Sequence, residues 1–266
     1  MNIIVCVKQI LDPEIPVAGF KLDATSRRVV PPEGVPPVIN PFDAQAVELA
    51  LRLKAQHGGK ITVLTVGDKD AGKVVKQALS MGADEGFILS DEAFKDSDCF
   101  ATAYILARAI QKVGDCELIL CGRQAADGDE GLTGSLIAHA LGLPLVTLAK
   151  AIEVEEGKLL VTRVILDGYQ QFIVSRPAVV TISNEVGSAR LPTGRGIIFA
   201  TRAQIPVWGR ADIDADPFKL GAEVGGRRLL RLSIPVRERK CEIIPGESAT
   251  EAASELVVRL RETGLI

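Results

Sequence analysis

Aromatic residues are scarce in this sequence, making up 4% of its 266 residues. This scarcity argues against a base-stacking surface, and a net charge of −3 gives no sign of a nucleic-acid partner. Only two histidines are present, His57 and His139, so a histidine-based metal site or catalytic triad is not expected. The five cysteines form no close-spaced pair of the kind that binds metal. We therefore predict neither a metal site nor nucleic-acid binding.

Long apolar runs are also missing. The longest runs are far shorter than a membrane span, so we expect no transmembrane segment. The stretch MNIIVCVKQ at the amino terminus begins directly as a strand, without the features of a signal peptide. We therefore expect a cytoplasmic protein. The chain is 47% hydrophobic and 24% charged, and it is long enough to bury a sizeable core.

Short, nearly all-apolar runs alternate with amphipathic runs through the first half of the chain. Strands covered on both faces are apolar throughout, whereas the covering helices have one apolar stripe. The alternation predicts an α/β fold with a doubly wound, mostly parallel sheet. Asn40 is expected to cap the first helix, with Pro41 in its first turn. The predicted strands are 2–7, 60–67, 86–90 and 116–122, and the predicted helices are 40–59, 70–83, 98–113 and the one that follows Gly131.

The second half of the chain has a different pattern. From about residue 145, short alternating runs separated by the turns EEGK and DGY predict antiparallel hairpins that extend the sheet. Residues 184–217 show little periodicity, and a long irregular stretch of this kind is typical of a functional or partner-contacting loop. The chain closes with a helix that begins at a capping box, Ser248 and Glu251. We therefore divide it into an α/β domain at 1–183 and, at 184–266, a partner-contacting loop with a C-terminal arm.

Doubly wound sheets bind ligands beyond the carboxyl ends of their strands, where the strand order reverses. Three segments follow predicted strands in this position: 7–13, 66–72 and 123–131. The third lies within the glycine-rich turn CGRQAADGDEGLTG, which leads into a helix. Glycines there let backbone N–H groups approach a phosphate, but a tight turn that needs glycine for packing explains the pattern equally well. We expect Asp129 and Glu130 to include the cap of the following helix.

Several segments, taken together and in order, resemble the β subunit of electron transfer flavoproteins. They are IIVCVKQILD, INPFDAQAVELALRLK, ALSMGAD, LILCGRQAADGDEGLTG, LDGYQQFIVSRPAVVT and the loop from SNEVGSAR onward. The resemblance covers nearly the whole chain. It implies the adenine-nucleotide-binding type of doubly wound fold, a heterodimer with an α subunit, and electron transfer between flavin or nicotinamide enzymes. No catalytic side chain is expected, because the cofactor carries the chemistry.

The resemblance also implies which residues contact an adenine nucleotide. Arg123 and Asp127 are candidates for holding phosphate and tuning the flavin. The full set of expected cofactor contacts is Cys6, Asn40, Pro41, Phe42, Asp43, Val66, Arg123, Asp127, Gly128, Asp129, Glu130, Gly131, Leu132, Thr133, Gly134, Ser135, Leu136 and Ala138.

The identity of the nucleotide depends on Gly128. Simple electron carriers of the family hold AMP in this subunit and have a bulky residue between the two aspartates, with the sole FAD mainly on the α subunit. Electron-bifurcating members hold FAD here and take hydride from NADH. Gly128 is closer to the bifurcating pattern, so we expect FAD, with AMP as the alternative.

Partner contacts are expected in the loop after residue 184, at Arg190, Gly194, Arg195, Phe199 and Arg202. In simple carriers the corresponding segment has a leucine anchor and a lysine-rich run, and it serves acyl-CoA dehydrogenases; Gly194 lies near the anchor position. The expected partners are the α subunit, a flavin dehydrogenase such as an acyl-CoA dehydrogenase or another oxidoreductase, and possible redox partners NADH and ferredoxin or flavodoxin. An ATP-using adenylating enzyme of related fold is a further alternative, although no pyrophosphate loop follows the first strand.

Overall fold

The computed structural model describes residues 1–16, 19–23, 28–221, 226, 229–234 and 241–266. The strands are β1 (Ile3–Cys6), β2 (Gln9–Ile10), β3 (Lys21–Asp23), β4 (Arg28–Val30), β5 (Val38–Ile39), β6 (Ile61–Val66), β7 (Glu85–Leu89), β8 (Leu118–Gly122), β9 (Leu145–Glu155), β10 (Lys158–Ile165), β11 (Gly168–Val174), β12 (Ala178–Ile182) and β13 (Val207–Trp208). The α-helices are α1 (Pro41–His57), α2 (Gly72–Met81), α3 (Cys99–Val113), α4 (Thr133–Leu141), α5 (Gly194–Arg202) and α6 (Ala249–Glu262).

Strand β1 lies inside a nine-stranded sheet, where it pairs in parallel with β6 on one side and β8 on the other. From β1 the chain adds β6 and β7 on one side, then crosses back to add β8. The strand order therefore reverses between β1 and β8, and a crevice forms beyond the carboxyl ends of these two strands. This architecture is the doubly wound α/β fold that the sequence predicts.

The antiparallel extension expected from about residue 145 is present. Strand β10 pairs antiparallel with β9 and β11, and β12 then returns between β9 and β8, parallel to both. All five residues of β12 are buried, as its apolar sequence AVVTI requires. The extension therefore widens the same sheet.

Helices cover both faces of this sheet. Successive side chains of a strand point to opposite faces. Accordingly, Ile3 and Val5 of β1 join the core beneath α1 and α2, whereas Ile4 and Cys6 join the core beneath α3 and α4. Because each helix that follows a parallel strand runs back along it, the first turns of α3 and α4 lie at the same edge as the strand ends.

The expectation of an irregular stretch at 184–217 is wrong in part, because this stretch contains α5 and β13. Helix α5 packs on α2, and only Ala200 of its nine residues is buried. The other large apolar residues of α5, Ile197, Ile198 and Phe199, are exposed, so the amphipathic pattern of this short helix has no buried apolar face on which to rest. Tertiary packing on α2 stabilises this helix more than its own pattern does.

Gly196 of α5 lies against α2, and a Cβ there would collide with the carbonyl oxygen of Ser80. We expect Gly196→Ala to lower the free energy of unfolding by about 1–3 kcal/mol, as overfilling a packed contact does. Gly194→Ala is the matched control, since a Cβ at Gly194 meets nothing within 4 Å. Urea unfolding of both variants measures the difference. Equal midpoints would contradict the tight packing.

The C-terminal helix α6 begins as expected, with the Ser248 hydroxyl accepting the N–H of Glu251 at 3.2 Å. The predicted boundary at residue 183 stays a prediction, although residues beyond it, from Val186 to Leu220, contribute side chains to both cores. No helix within the described ranges is both long and apolar enough to cross a membrane.

Candidate functional site

A cavity of about 700 Å³ opens at the carboxyl ends of the central strands. This volume is within the range of roughly 300–1,000 Å³ typical of small-molecule sites. Its wall includes the strand ends, the turn after β8, the start of α4, and the loop between β7 and α3. The expected cofactor residues that line it are Cys6, Asn40, Asp43, Val66, Arg123, Asp127, Gly128, Asp129, Glu130, Gly131, Leu132, Thr133 and Gly134.

The other expected residues lie beside the cavity. Pro41 is the first residue of α1, as predicted, and Phe42 follows it. Ser135 and Leu136 lie in α4 without reaching the wall, and Ala138 is buried in the core beneath that helix. The helical rotation of α4 turns these side chains away, because only its first residues face the strand ends.

The glycines of the turn differ in what the protein requires of them. Gly131 has a φ of 63°, in the left-handed region that favours glycine. A Cβ on Gly134 would lie 2.6 Å from Thr181, so glycine lets α4 approach the sheet closely. A Cβ on Gly128 would meet only Glu130, at 4.0 Å, and its backbone is not left-handed. Packing and backbone conformation therefore explain Gly131 and Gly134 but not Gly128.

Asn40 precedes α1 as predicted, but its side chain makes no capping hydrogen bond. Its amide donates to the carbonyl oxygen of Gln124 at 2.8 Å, and its amide oxygen accepts the N–H of Ala126 at 3.2 Å. Asn40 therefore occupies the expected N-cap position, but without the side-chain capping bond, and its amide group holds the turn after β8.

Asp43 joins the ends of two strands. Its carboxylate accepts the N–H of Lys8 at 2.8 Å and the N–H of Gly122 at 3.0 Å. The side chain is buried, and this burial raises the pKa of Asp43 to about 7, against the hydrogen bonds from Asn40, Lys8 and Gly122 that favour the charged form. Asp43 thus fixes where the turn begins; it also lines the cavity, and its contact with the nucleotide stays a prediction.

The acidic residues of the turn do not cap α4, which corrects the expectation for Asp129 and Glu130. Helix α4 begins at Thr133, and Leu132, the residue in the capping position, makes no side-chain capping bond. Asp129 instead accepts the side-chain amide of Gln124 at 2.7 Å. The first N–H groups of a helix have no partner within the helix and carry partial positive charge. The start of α4 at the cavity wall is therefore suited to an anionic group.

The two cations near the turn are held differently. Arg123 lies over the ring of Phe42, at 5.3 Å from its centroid, and donates to Gln124 at 2.9 Å and to Asn184 at 3.4 Å. The Lys8 ammonium pairs with Asp127 at 2.7 Å in a largely exposed position. Arg123 lines the cavity, but its guanidinium is engaged by the protein. Lys8 is the more exposed of the two cations.

Two parts of the wall were missed from the sequence. Lys8 lies in the segment identified after the first strand but was not selected as a contact. The loop 90–98 and the first turns of α3 follow the third predicted strand, β7, and were not considered at all. The signal was available, since the carboxyl end of β7 lies at the same sheet edge as those of β1, β6 and β8.

The expected partner residues divide into two groups. Gly194, Arg195, Phe199 and Arg202 lie on exposed positions of α5. Arg190 precedes this helix and is also exposed, and its guanidinium donates to the buried carboxylate of Glu48 at 2.7 Å and 3.2 Å, so its contact with a partner stays a prediction. Arg52 donates to the same carboxylate at 2.8 Å.

Glu48→Gln tests this network. We expect it to lower the free energy of unfolding at pH 7 by about 1.5–3 kcal/mol, since the three hydrogen bonds from Arg52 and Arg190 lose their charged acceptor. Burial disfavours the charged form of Glu48, but the bonds from Arg190 and Arg52 outweigh it and lower its pKa. A lowered carboxylate pKa stabilises the fold above the ordinary value and ceases to do so as the pH falls. The penalty measured by urea unfolding should therefore shrink in acid.

Glu92→Gln is the matched control. Glu92 pairs with Lys95 at 2.7 Å, but both side chains are exposed to solvent. An exposed pair contributes about 0–1 kcal/mol, so the same substitution should have little effect there. Equal losses in the two variants would show that the Glu48 network does not stabilise the fold.

The site has the character of a binding site. Within the described part of the chain, no three histidine, cysteine or acidic side chains form a group that could hold a metal ion. Cys6 and Cys121 are buried free cysteines at paired positions on β1 and β8. The hydrogen bond between their thiols and their burial raise the pKa of Cys6 well above its ordinary value, so it stays a neutral thiol.

Comparison with known proteins adds independent findings. Residues 29–212 match the electron transfer flavoprotein domain family. The chain is 36% identical over 267 residues, spanning all of both chains, to the electron transfer flavoprotein subunit beta of Thermoanaerobacterium thermosaccharolyticum. It has the same identity and coverage with the caffeyl-CoA reductase-Etf complex subunit CarD of Acetobacterium woodii. It is 38% identical to the acryloyl-CoA reductase electron transfer subunit gamma of Anaerotignum propionicum over 201 residues, 74% of this chain and 73% of that one.

Proposed function

The chain belongs to the electron transfer flavoprotein family, and from that membership we propose that it holds FAD in the strand-end cavity and passes electrons within a heterodimer with an α subunit. Family membership supports the electron-transfer role. The proposal goes beyond family membership in three respects: this subunit binds FAD, NADH is the electron donor, and the electrons are bifurcated.

The observation that carries the FAD assignment is the open space at Gly128. The protein needs no glycine there for packing or for backbone conformation. A glycine that neither packing nor backbone conformation requires, on the wall of a binding cavity, lets a ligand approach the backbone closely. The space left by the missing side chain suits the diphosphate and ribityl portion by which FAD extends beyond AMP.

The residues around the turn fit the phosphates of such a cofactor. The uncapped start of α4 offers N–H groups to an anion, with Thr133 at the first helical position. Lys8 supplies a positive charge beside Asp127. Asn40 and Asp43 keep the turn in place by bonding its backbone. Bound FAD supplies the hydride and electron chemistry, while these residues bind and orient it.

The partners of this subunit follow from the same proposal. The names of two relatives associate them with caffeyl-CoA reductase and acryloyl-CoA reductase. By analogy, this chain would work with an acyl-CoA dehydrogenase or another oxidoreductase. NADH would donate hydride, and ferredoxin or flavodoxin would receive electrons in bifurcation. The exposed face of α5, with Phe199 and Arg202, is the surface that we assign to a protein partner.

Two other functions compete with this one. A simple carrier would hold AMP here and serve to position an α subunit that carries the sole FAD. An adenylating enzyme would hydrolyse ATP or transfer the adenylyl group of ATP to a substrate, with release of pyrophosphate. The experiment is to purify the heterodimer, record its visible spectrum, and identify the nucleotides released on denaturation. Two flavins per heterodimer support FAD here, one flavin with AMP supports the simple carrier, and a colourless ATPase contradicts both.

A further inference from the structure

Two of the buried cysteines form a pair in the cavity wall. Cys6 and Cys121 lie opposite each other on the neighbouring parallel strands β1 and β8, and such strands run about 4.7–4.9 Å apart. Both side chains point to the same face of the sheet and belong to one buried cluster. Their thiols share a hydrogen bond. Because both residues line the cavity, a small molecule that enters it reaches two adjacent sulfur atoms.

This pair lies against the start of α4. A Cβ on Gly134, in the first turn of that helix, would lie 3.6 Å from the sulfur of Cys121. The N–H groups of the same turn are the ones suited to the phosphates of a nucleotide. A group bound on the two sulfur atoms therefore occupies space beside these N–H groups, so the cavity cannot hold it and a nucleotide together.

The protonation state of the thiols limits which reagents they can take. The hydrogen bond with Cys121, burial and the nearby carboxylate of Asp43 raise the pKa of Cys6. A metal ion binds cysteine as the thiolate, so this environment disfavours a metal. Alkylation and disulfide exchange also require the thiolate and are disfavoured for the same reason. A reagent that condenses with neutral thiols avoids this penalty.

We propose that Cys6 and Cys121 together form a modification site for trivalent arsenicals of the type R–As=O. Each sulfur forms an As–S bond, both S–H bonds break, and the two protons leave with the arsenic oxygen as one molecule of water. Arsenic stays trivalent and neither sulfur is oxidised, so the step needs no oxidant or reductant. The organic group R lies in the cavity, where Phe94 and Leu106 offer apolar surface. The exclusion of a nucleotide by this adduct rests on the proposed function, whereas the adduct itself does not.

Phenylarsine oxide tests the site on the full heterodimer stripped of nucleotide. We expect the mass of this subunit to rise by that of the reagent less one water, whereas attachment to a single thiol loses no water. Cys6→Ala and Cys121→Ala should each abolish the bridged adduct. Cys116→Ala is the matched control, since Cys116 is a free cysteine outside the cavity wall. A bridged adduct that persists in either cavity variant overturns the site.

A second measurement uses the wild-type heterodimer and does not depend on a variant folding. Peptide mapping should find the peptides that contain Cys6 and Cys121 joined through one arsenic atom, and excess dimercaptopropanol should release them. Arsenic on other cysteines only, or on none, overturns the site.

The competition with a nucleotide is tested in the same assay. Saturating AMP should slow formation of the bridged adduct about tenfold or more, because only the nucleotide-free fraction reacts. An adduct that forms at the same rate with AMP bound overturns the exclusion. A heterodimer that binds no adenine nucleotide, yet forms the bridged adduct, overturns the proposed function and supports the arsenical site.

Discussion

Gly128→Leu is expected to reduce the flavin content of the heterodimer from two to one. The substitution places a branched side chain in open space on the cavity wall, where the nearest protein atom is the Cγ of Glu130 at 4.0 Å. The diphosphate and ribityl portion of FAD would need that space, whereas AMP ends before it. We expect the affinity for FAD in this subunit to fall about tenfold or more, with binding of AMP retained.

The fold should tolerate this change. Because Gly128 has no close neighbour and no left-handed φ, leucine introduces neither a clash nor backbone strain. Gly194→Leu is the control, since Gly194 is equally open and lies in α5, away from the cavity. Flavin is counted from the visible absorbance and from chromatography of the released cofactors. A Gly128→Leu heterodimer that keeps two flavins, with affinities like those of the control, would exclude this explanation of Gly128.

Much of the fold could be predicted because the signal is local. The strands β1, β6 and β8 are apolar apart from two threonines in β6, and the alternation with helices leaves few topologies. The same rule places the cavity at the strand ends. Applied to the third predicted strand, β7, the same rule predicts that the loop before α3 lines the cavity.

The parts that could not be predicted depend on contacts between distant residues. Asn40 has the residue type and position of a helix cap, yet it bonds Gln124 and Ala126, which lie 84 and 86 positions further along the chain. The bond from Arg190 to Glu48 likewise joins residues 142 positions apart, and nothing in the local sequence indicates it. Local propensity describes what a residue can do, and the tertiary partner decides which of these interactions forms.

Asp43→Asn is expected to show a penalty that depends on pH in an unusual direction. An asparagine oxygen can accept only one of the two backbone N–H groups that Asp43 accepts, from Lys8 and Gly122. The other N–H is then left opposite an NH₂ group, and an unsatisfied buried donor costs about 1–3 kcal/mol. The turn after β8 also loses a fixed point, so the affinity of the cavity for a nucleotide should fall with it.

The direction follows from the pKa of Asp43, which burial raises from 3.8 to about 7. Between these values the folded protein holds a proton that the unfolded chain has released. The raised pKa of Asp43 therefore stabilises the fold fully at pH values below 3.8, the pKa in the unfolded chain. This stabilisation, roughly 4 kcal/mol, is lost as the pH rises through about 7, the pKa in the folded protein. The asparagine side chain does not titrate, so the penalty of Asp43→Asn should be largest near pH 4 and shrink towards pH 8.

Glu48→Gln is the control for this measurement. The pKa of Glu48 is lowered in the folded protein, so the penalty of Glu48→Gln should grow as the pH rises, which is the opposite trend. Other titrating groups are common to the wild type and each variant, so the difference between their unfolding free energies isolates one carboxylate at a time. Urea unfolding between pH 3 and 8 should give difference curves of opposite slope, with the Glu48 change confined to the acid end. Parallel curves would mean that Asp43 ionises as an ordinary carboxylate, held by its two backbone bonds, and that burial does not govern its charge. Difference curves of opposite slope would show that Asp43 titrates near neutral pH while it holds the backbone of the turn that lines the cavity.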